Sequence, residues 1–341
     1  MLMSQSRHNN SYRNNRAPRV PGAVRARDPA PRNETFRWKR YTFFAVLFFL
    51  FIYIIITGLM SVSYAGQVIR PARSPAAPIK KNIAYPYTSV TFRSRDNTIL
   101  LSGWHFNAKK TNNALIIVHG FGSNRFPFGE ETLDFIEAII AADFNVLTFD
   151  LRNSGGMGVG TSAFGLHEKD DVLGAFDYMR NAGYRNIALL GISTGANAAA
   201  IAGAEAPTED VGALILDSPI VDMRSYIMSL VHEINPKLPE FPFDYATPLF
   251  VGLYLNGDVL DANAAGNLDK FMPRNVQLIY GNNDEIVSLS EINGLYNGYM
   301  SRAVGKISIW NVPGAGHGEC YKTDKDEYIE RVTSFLRRAF I

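Results

Sequence analysis

LLGISTGA, residues 189–196, follows a short apolar run and precedes an alanine-rich segment. The pattern predicts a strand over 186–190, a sharp turn at Gly-x-Ser-x-Gly, and a helix behind the turn. Gly191 and Gly195 lack the Cβ atoms that would clash in so tight a turn. The helix start would offer free N–H groups and a positive dipole end beside the Ser193 hydroxyl. Ser193 is therefore the candidate nucleophile, if other segments supply an oxyanion loop, an acid and a base.

Strand-like and helix-like segments alternate on both sides of this motif. A β-hairpin of 89–92 and 99–106 is predicted to open the folded region. Continuously apolar runs that predict strands lie at 114–118, 145–149, 187–190, 213–216, 276–280 and 306–310. Helical periodicity covers 130–142, 168–179 and 328–340. This alternation predicts an α/β fold with a mostly parallel sheet and helices on both faces.

The alternation stops between Ser218 and about Asn263. This segment is rich in aromatic residues and proline, and it is too long for an ordinary connection. We expect a small cap over the active site at about 219–263. Simple packing of its aromatic side chains onto the body is compatible with this expectation, and no single cap residue is assigned to substrate.

Two backbone N–H groups are candidates for an oxyanion hole, those of Phe121 and Thr194. The strand at 114–118 runs into His119-Gly120-Phe121-Gly122, whose glycines allow the chain to approach a tetrahedral oxygen. Thr194 directly follows the candidate nucleophile. His119 itself is expected to be structural, because the end of the strand is buried in such an arrangement.

Asp284 and His317 are the candidate acid and base. Asp284 follows the strand at 276–280, where a carboxylate reaches the mouth of a parallel sheet, and Glu285 is the alternative acid. His317 lies in a glycine-rich loop after the last strand, where it could take the proton of Ser193. The chain order Ser193, Asp284, His317 is the order that this architecture demands. No comparable setting surrounds the other histidines, His8, His105, His167 and His232.

From about residue 85 to its end, the chain resembles the α/β-hydrolase superfamily. It is most similar to the branch of membrane-anchored α/β-hydrolase-domain proteins and serine-aminopeptidase-like lipases. The matching stretches are VHGFGSNR (118–125), FDLRNSGGMG (149–158), GLHEKDDVLGAFDYM (165–179), LLGISTGA (189–196), IYGNNDEIV (279–287) and PGAGHGE (313–319). The resemblance implies the fold and the triad, but no particular substrate. Asn153-Ser154 departs from the Gly-His or Gly-x pair of many relatives, in a loop that is usually structural.

An uncharged apolar run, Tyr41 to Met60, predicts a transmembrane helix at 41–62. Its length matches the roughly 30 Å hydrocarbon thickness of a bilayer, and a buried core helix would not be apolar all round. Residues 1–40 form a basic tail that we expect to be disordered and cytosolic. Because the larger positive excess precedes the run, the catalytic domain is expected outside the cytoplasm. An uncleaved signal anchor is preferred to a cleaved signal peptide with a site at Ser63-Tyr64-Ala65.

The remaining organisation follows from composition. Residues 70–86 are rich in proline and basic residues and predict a stiff linker. We place the linker at 63–84, which leaves 85–341 as the hydrolase domain. The chain has 341 residues, 47% of them hydrophobic, and a net charge of +2. Its single cysteine, Cys320, excludes an intramolecular disulfide and a cysteine-based metal site, and it is expected to be a small buried hydrophobe. No nucleic-acid partner is expected.

These observations predict a membrane-anchored serine hydrolase that cleaves carboxylic ester or thioester bonds through an acyl-enzyme. The expected substrate is a small-molecule or lipid acyl ester, and no metal or organic cofactor is implied. A carboxylesterase or lipase is favoured over a serine peptidase or amidase of the same fold. Two further alternatives are a non-catalytic binding protein that retains the fold and a passive domain tethered by the basic tail.

Overall fold

The computed structural model describes residues 34–79, 83–156, 160–206 and 211–340. The predicted basic tail therefore lies outside the described residues as far as residue 33. A compact unit extends from Ile54 to Ile341. The described part of the unit before it ends at Tyr53 and is the first part of helix α1, which spans Glu34–Val68. In this first part, the side chains from Arg37 to Tyr53 are exposed.

The compact unit is built on one sheet of eight strands. Their spatial order is β1-β2-β4-β3-β5-β6-β7-β8. β1 pairs with β2, and β2 with β4, in the antiparallel sense, whereas all other neighbours are parallel. The predicted mostly parallel sheet is confirmed. The strands are β1 Thr88–Arg93, β2 Leu100–Phe106, β3 Asn113–Val118, β4 Asn145–Phe149, β5 Asn186–Ile192, β6 Val211–Asp217, β7 Asn275–Gly281 and β8 Ile307–Val312.

Nine helices follow α1 in the described part of the chain, together with two 3₁₀ turns at Gly129–Glu131 and Val259–Asp261. The longest, α10, buries one apolar face and carries acidic residues in its first turn and arginines in its last, as the helix dipole favours. The helices are α2 Thr132–Ala141, α3 Glu168–Asn181, α4 Thr194–Glu205, α5 Met223–Ile234, α6 Phe243–Leu255, α7 Ala264–Phe271, α8 Leu289–Met300, α9 Cys320–Thr323 and α10 Lys325–Phe340.

Each face of the sheet carries its own hydrophobic core. Ile116 belongs to one core, while its neighbours Leu115 and Ile117 belong to the other. This division follows from the two-residue period of a strand, which points successive side chains to opposite faces. A sheet buried on both faces explains why the central strands read as continuous apolar runs.

The predicted cap segment folds as α5, α6 and the second 3₁₀ turn. Both of its ends are held by Asn197 of α4, the helix behind Ser193. The Asn197 amide donates to the carbonyl oxygens of Ile220 (2.8 Å) and Ala262 (2.5 Å) and accepts from the Ile220 N–H at 2.9 Å. One buried side chain therefore fixes the two ends of the cap to the nucleophile helix.

The bounds of the apolar helix differ from the predicted 41–62. α1 begins at Glu34 and ends at Val68, so residues 63–68 are helical and do not belong to a linker. The physical reason is that the uncharged run continues to Ile69, and that Ala65 and Val68 are buried in the core of the compact unit. Among the described residues, α1 is the helix long and apolar enough to cross a membrane, over Arg37–Val68.

Candidate active site

Ser193 occupies a sharp turn between β5 and α4. Its backbone has φ 55° and ψ −125°, a sparsely populated conformation that marks strain at a functional turn. A Cβ on Gly191 would lie 2.4 Å from the Gly195 carbonyl oxygen, and a Cβ on Gly195 would lie 2.2 Å from that of His119. Only glycine fits at either position, so the two glycines of the motif are what allow the chain to hold Ser193 in this turn.

The three predicted residues form one hydrogen-bonded chain. His317 Nε2 lies 2.8 Å from Ser193 Oγ, and His317 Nδ1 lies 2.8 Å from Asp284 Oδ2. The other carboxylate oxygen of Asp284 accepts from the N–H groups of Ile286 (2.9 Å) and Val287 (2.8 Å). Because the Asp284 carboxylate accepts a hydrogen bond from Nδ1–H, Nε2 of the neutral imidazole carries no proton and can accept the hydrogen bond of the serine hydroxyl. The roles of these residues in catalysis are still predictions.

Burial separates the triad from bulk water. The Asp284 side chain is fully buried, and that of His317 is 16% exposed. Ser193 is buried as well. Glu285, the alternative acid, is exposed to solvent. The structure therefore brings Asp284 to the histidine, and not Glu285.

The loop after β3 lies against the nucleophile. A Cβ on Gly120 would lie 3.1 Å from Ser193 Cβ and 3.7 Å from its Oγ, so this loop approaches the serine as closely as glycine allows. Phe121 follows directly in that loop. Thr194 is the first residue of α4, where an N–H has no partner within its own helix. Both predicted oxyanion donors belong to segments beside Ser193.

His119 has a structural role in this loop. Its Nδ1–H donates to the Gly120 carbonyl at 2.8 Å, and its Nε2 accepts the N–H of Leu151 at 3.1 Å. Complete burial lowers the pKa of His119, which favours the neutral ring that such a donor-acceptor pair requires. With both ring nitrogens engaged by backbone groups, the ring ties the oxyanion loop to the segment after β4.

The remaining histidines in the described part of the chain lie in other settings. His105 is buried between the hydroxyl groups of Tyr178 and Tyr184, at 3.1 Å from each, and burial lowers its pKa. His232 contacts the Leu238 carbonyl in the cap. His167 precedes α3 as its N-cap residue, and His8 lies outside the described residues.

Tyr226 of α5 is a site residue that the sequence did not single out. Its ring lies 6.5 Å from the His317 ring and meets Phe121 and Phe164 edge-on at 6.4 and 6.0 Å. Burial raises the pKa of Tyr226, and this effect outweighs the opposite effect of a hydrogen bond with Ser193. The Tyr226 hydroxyl therefore keeps its proton. The aromatic richness of the cap was the available signal, but it did not identify one residue.

A second buried carboxyl supports the loop of the base. Asp217, at the end of β6, accepts from the hydroxyls of Tyr328 and Ser218, each at 3.0 Å. The Ser218 hydroxyl in turn accepts the Gly318 N–H at 3.2 Å, next to His317. Burial raises the pKa of Asp217 to about 6. Cys320 is fully buried beside this group, and burial raises the pKa of its thiol as well.

Two buried ion pairs hold residues 150–152, directly after β4. Arg152 Nη2 lies 2.8 Å from Asp171 Oδ1, and Arg125 Nη2 lies 2.5 Å from Asp150 Oδ2. The Asp150 carboxylate also accepts the Arg125 N–H at 2.8 Å. These contacts agree with a structural role for the loop in which the sequence departs from its relatives. Within the described ranges, no group of three or more His, Cys, Asp or Glu side chains is placed to hold a metal ion.

Comparison with known proteins gives one family and a set of similar folds. Residues 115–328 match the model of the alpha/beta hydrolase family. The uncharacterized protein YqkD of Bacillus subtilis (strain 168) is 23% identical over 240 residues, covering 69% of this chain and 75% of its own.

Solved structures agree in fold at low sequence identity. The esterase Pf2001 of Pyrococcus furiosus has a TM-score of 0.66 and 22% identity, covering 81% of this chain and 99% of its own. An esterase of Exiguobacterium antarcticum has a TM-score of 0.51 and 12% identity, with 73% and 100% covered. The family match spans more than half of the sequence and agrees with the sheet order and the strand-turn-helix at Ser193. This chain belongs to the alpha/beta hydrolase family.

Proposed function

We propose that this protein is a serine hydrolase that cleaves carboxylic ester bonds, thioesters included, through an acyl-enzyme. The observation that carries the proposal is the unbroken chain from Asp284 through His317 to Ser193, with 2.8 Å at both links. Membership of the alpha/beta hydrolase family supports a hydrolase activity. Several structural neighbours are named as esterases, which favours esters over peptides as the substrate class.

In the proposed reaction, Ser193 Oγ attacks the carbonyl carbon and its proton passes to His317 Nε2. The N–H groups of Phe121 and Thr194 stabilise the negative charge on the carbonyl oxygen. His317 then gives its proton to the leaving alkoxide or thiolate, and the acyl group stays on Ser193. Water, activated by the same imidazole, releases the acid. Asp284 fixes the Nδ1–H tautomer and stabilises the imidazolium that forms twice in the cycle.

We further propose that α1 anchors the enzyme in a membrane. Its exposed apolar part, residues 41–60, matches the roughly 20 residues needed to cross a bilayer. Basic residues are concentrated before the apolar run, which supports a cytoplasmic N-terminus and an active site on the other side. A lipid or other acyl ester near the membrane surface fits that location. Protease added to intact cells should then digest the hydrolase domain, and protection until the membrane is opened would reverse the orientation.

The activity is tested with purified full-length protein in detergent micelles and p-nitrophenyl acetate and butyrate. The wild type should turn over both esters, and Ser193→Ala should reduce kcat by about 10³-fold or more. Ser301→Ala, at an exposed serine after α8, is the matched control and should keep wild-type turnover. Equal rates for the wild type and Ser193→Ala would rule out the proposed nucleophile.

A further inference from the structure

The last turns of α1 pass from exposed apolar surface to contact with the cap. Leu59 is 67% exposed, whereas Ser61, Ala65 and Val68 are buried in the compact unit. Tyr64 accepts a hydrogen bond from the Asn235 amide at 2.9 Å. The exposed apolar part of the helix therefore ends close to residue 60. Directly after it, the helix packs into the compact unit.

The cap helix α6 is held along this exit at both of its ends. At its start, Phe243 meets the Tyr64 ring edge-on at 6.3 Å. At its end, the Arg70 guanidinium lies 5.8 Å from the Tyr254 ring centre. Because the two contacts involve residues directly after the apolar part of α1, α6 must lie next to the point where α1 leaves its apolar surroundings.

The free side of α6 is apolar. Tyr245, Leu249 and Leu253, spaced four residues apart on one side of the helix, are 61%, 63% and 67% exposed. Phe241, just before the helix, is also exposed. Asp244 is the only charged residue within α6. A helix that faces water usually carries polar and charged side chains on its outer side. An apolar outer side is typical of a surface that contacts a partner or a membrane. We call these four exposed residues the α6 face.

Basic and aromatic groups border the α6 face. The Arg224 guanidinium stacks 4.6 Å from the Tyr245 ring centre, as Arg70 does on Tyr254. A groove of about 580 Å³ lies beside them, lined in part by Arg224, Leu249 and Leu253. Tyrosine and arginine are typical of the boundary between lipid tails and headgroups, where the ring is half immersed and the cation meets phosphate.

We propose that the α6 face rests in the surface of the bilayer that α1 enters, so that the cap is a second membrane contact of this protein. The proposal rests on the membrane span proposed above. Lipid is the occupant because the exposed apolar surface of α1 ends at Leu59, and contacts with Tyr64 and Arg70, directly after that point, hold α6 beside it with its apolar side chains exposed. The cap over Ser193 would thus border membrane lipid.

The contact is tested with full-length protein in vesicles of phosphatidylcholine and phosphatidylglycerol. Leu249→Cys carries an environment-sensitive NBD fluorophore, and doxyl-labelled phosphatidylcholine serves as the quencher. Cys320 is fully buried and should react little with the fluorophore. Labelling of the wild-type protein measures this background. Leu59→Cys is the lipid-exposed control, and Lys322→Cys, whose side chain is 76% exposed, is the control in water. None of these measurements requires catalysis, so they should give the same result in Ser193→Ala.

The probe at Leu249→Cys should be quenched at least about threefold more strongly than the probe at Lys322→Cys, and to a degree approaching that at Leu59→Cys. Quenching at Leu59→Cys alone would overturn the cap contact and leave the membrane span intact. Blue-shifted emission at Leu249→Cys without lipid quenching would mean that a second copy or another protein covers the face, which also overturns the proposal. Absence of quenching at both positions would overturn the span and the cap contact together.

Discussion

Asp284 Oδ2 lies 2.8 Å from His317 Nδ1, and the neighbouring residue Glu285 is exposed to solvent. This difference gives a matched pair of variants. Asp284→Asn should lower kcat for p-nitrophenyl butyrate by about 10³- to 10⁴-fold, because an amide favours the wrong imidazole tautomer. Glu285→Gln should leave kcat unchanged. A larger loss in Glu285→Gln than in Asp284→Asn would show that the acid is misassigned.

The glycines of the nucleophile turn should not tolerate a methyl group. In Gly195→Ala the added Cβ would press on the His119 carbonyl oxygen at 2.2 Å, a backbone atom that cannot move aside. The expected loss is about 3 kcal/mol, or about 6–12 °C in Tm. Gly294→Ala, in open space on α8, is the control and should gain about 0.5–1 kcal/mol. Thermal unfolding of both variants in the same detergent makes the comparison, and similar shifts in the two would contradict the proposed close packing.

The two kinds of ion pair in the molecule should differ in their effect on stability. Arg152→Met leaves the Asp171 carboxylate buried without its cation, which costs about 3–5 kcal/mol. Arg302 pairs with Asp269 at the surface, where both side chains are about half exposed. Arg302→Met should therefore leave the Tm at the wild-type value. Thermal unfolding of the two variants beside the wild type tests this, and a Tm for Arg152→Met equal to the wild-type Tm would refute it.

Asp217 should make the stability of the fold depend on pH. Burial raises its pKa from 3.8 to about 6, so between these values the folded state binds the proton more tightly than the unfolded state. Stability from this group is complete below pH 3.8 and is lost as the pH rises through 6. Over that range the free energy of unfolding of the wild type should fall by about 3 kcal/mol relative to that of Asp217→Asn. Unfolding of both proteins at pH 4 and pH 7 gives the difference, and a pH-independent difference would contradict the assignment.

The centre of the molecule could be predicted from the sequence because its signals are local. A strand, Gly-x-Ser-x-Gly and an alanine-rich helix follow one another within 186–205, and each part depends only on its neighbours. Asp284 and His317 were predicted from chain order, since the ends of parallel strands meet at one edge of a sheet. The continuous apolar runs predicted the parallel sheet because strands that are buried on both faces carry apolar side chains at successive positions.

Features that depend on distant contacts could not be predicted. Tyr226 approaches Ser193 from the cap, whose two ends are fixed by Asn197, and no local pattern reveals these contacts. α8 was missed because asparagine and glycine at 293, 294, 297 and 298 argue against a helix, although a capping box of Ser288 and Glu291 starts it. The extension of α1 to Val68 depends on its packing against the compact unit. In each case tertiary contact outweighs local propensity.

The central claim is that Ser193 is the nucleophile of a covalent reaction. The most direct test is to treat full-length protein with a fluorophosphonate and to locate the adduct by mass spectrometry of proteolytic peptides. We expect one adduct per chain on Ser193, with none in Ser193→Ala and strongly slowed labelling in His317→Ala, because the imidazole must accept the serine proton. An unlabelled wild-type protein, or an adduct on another residue that persists in Ser193→Ala, would contradict the account.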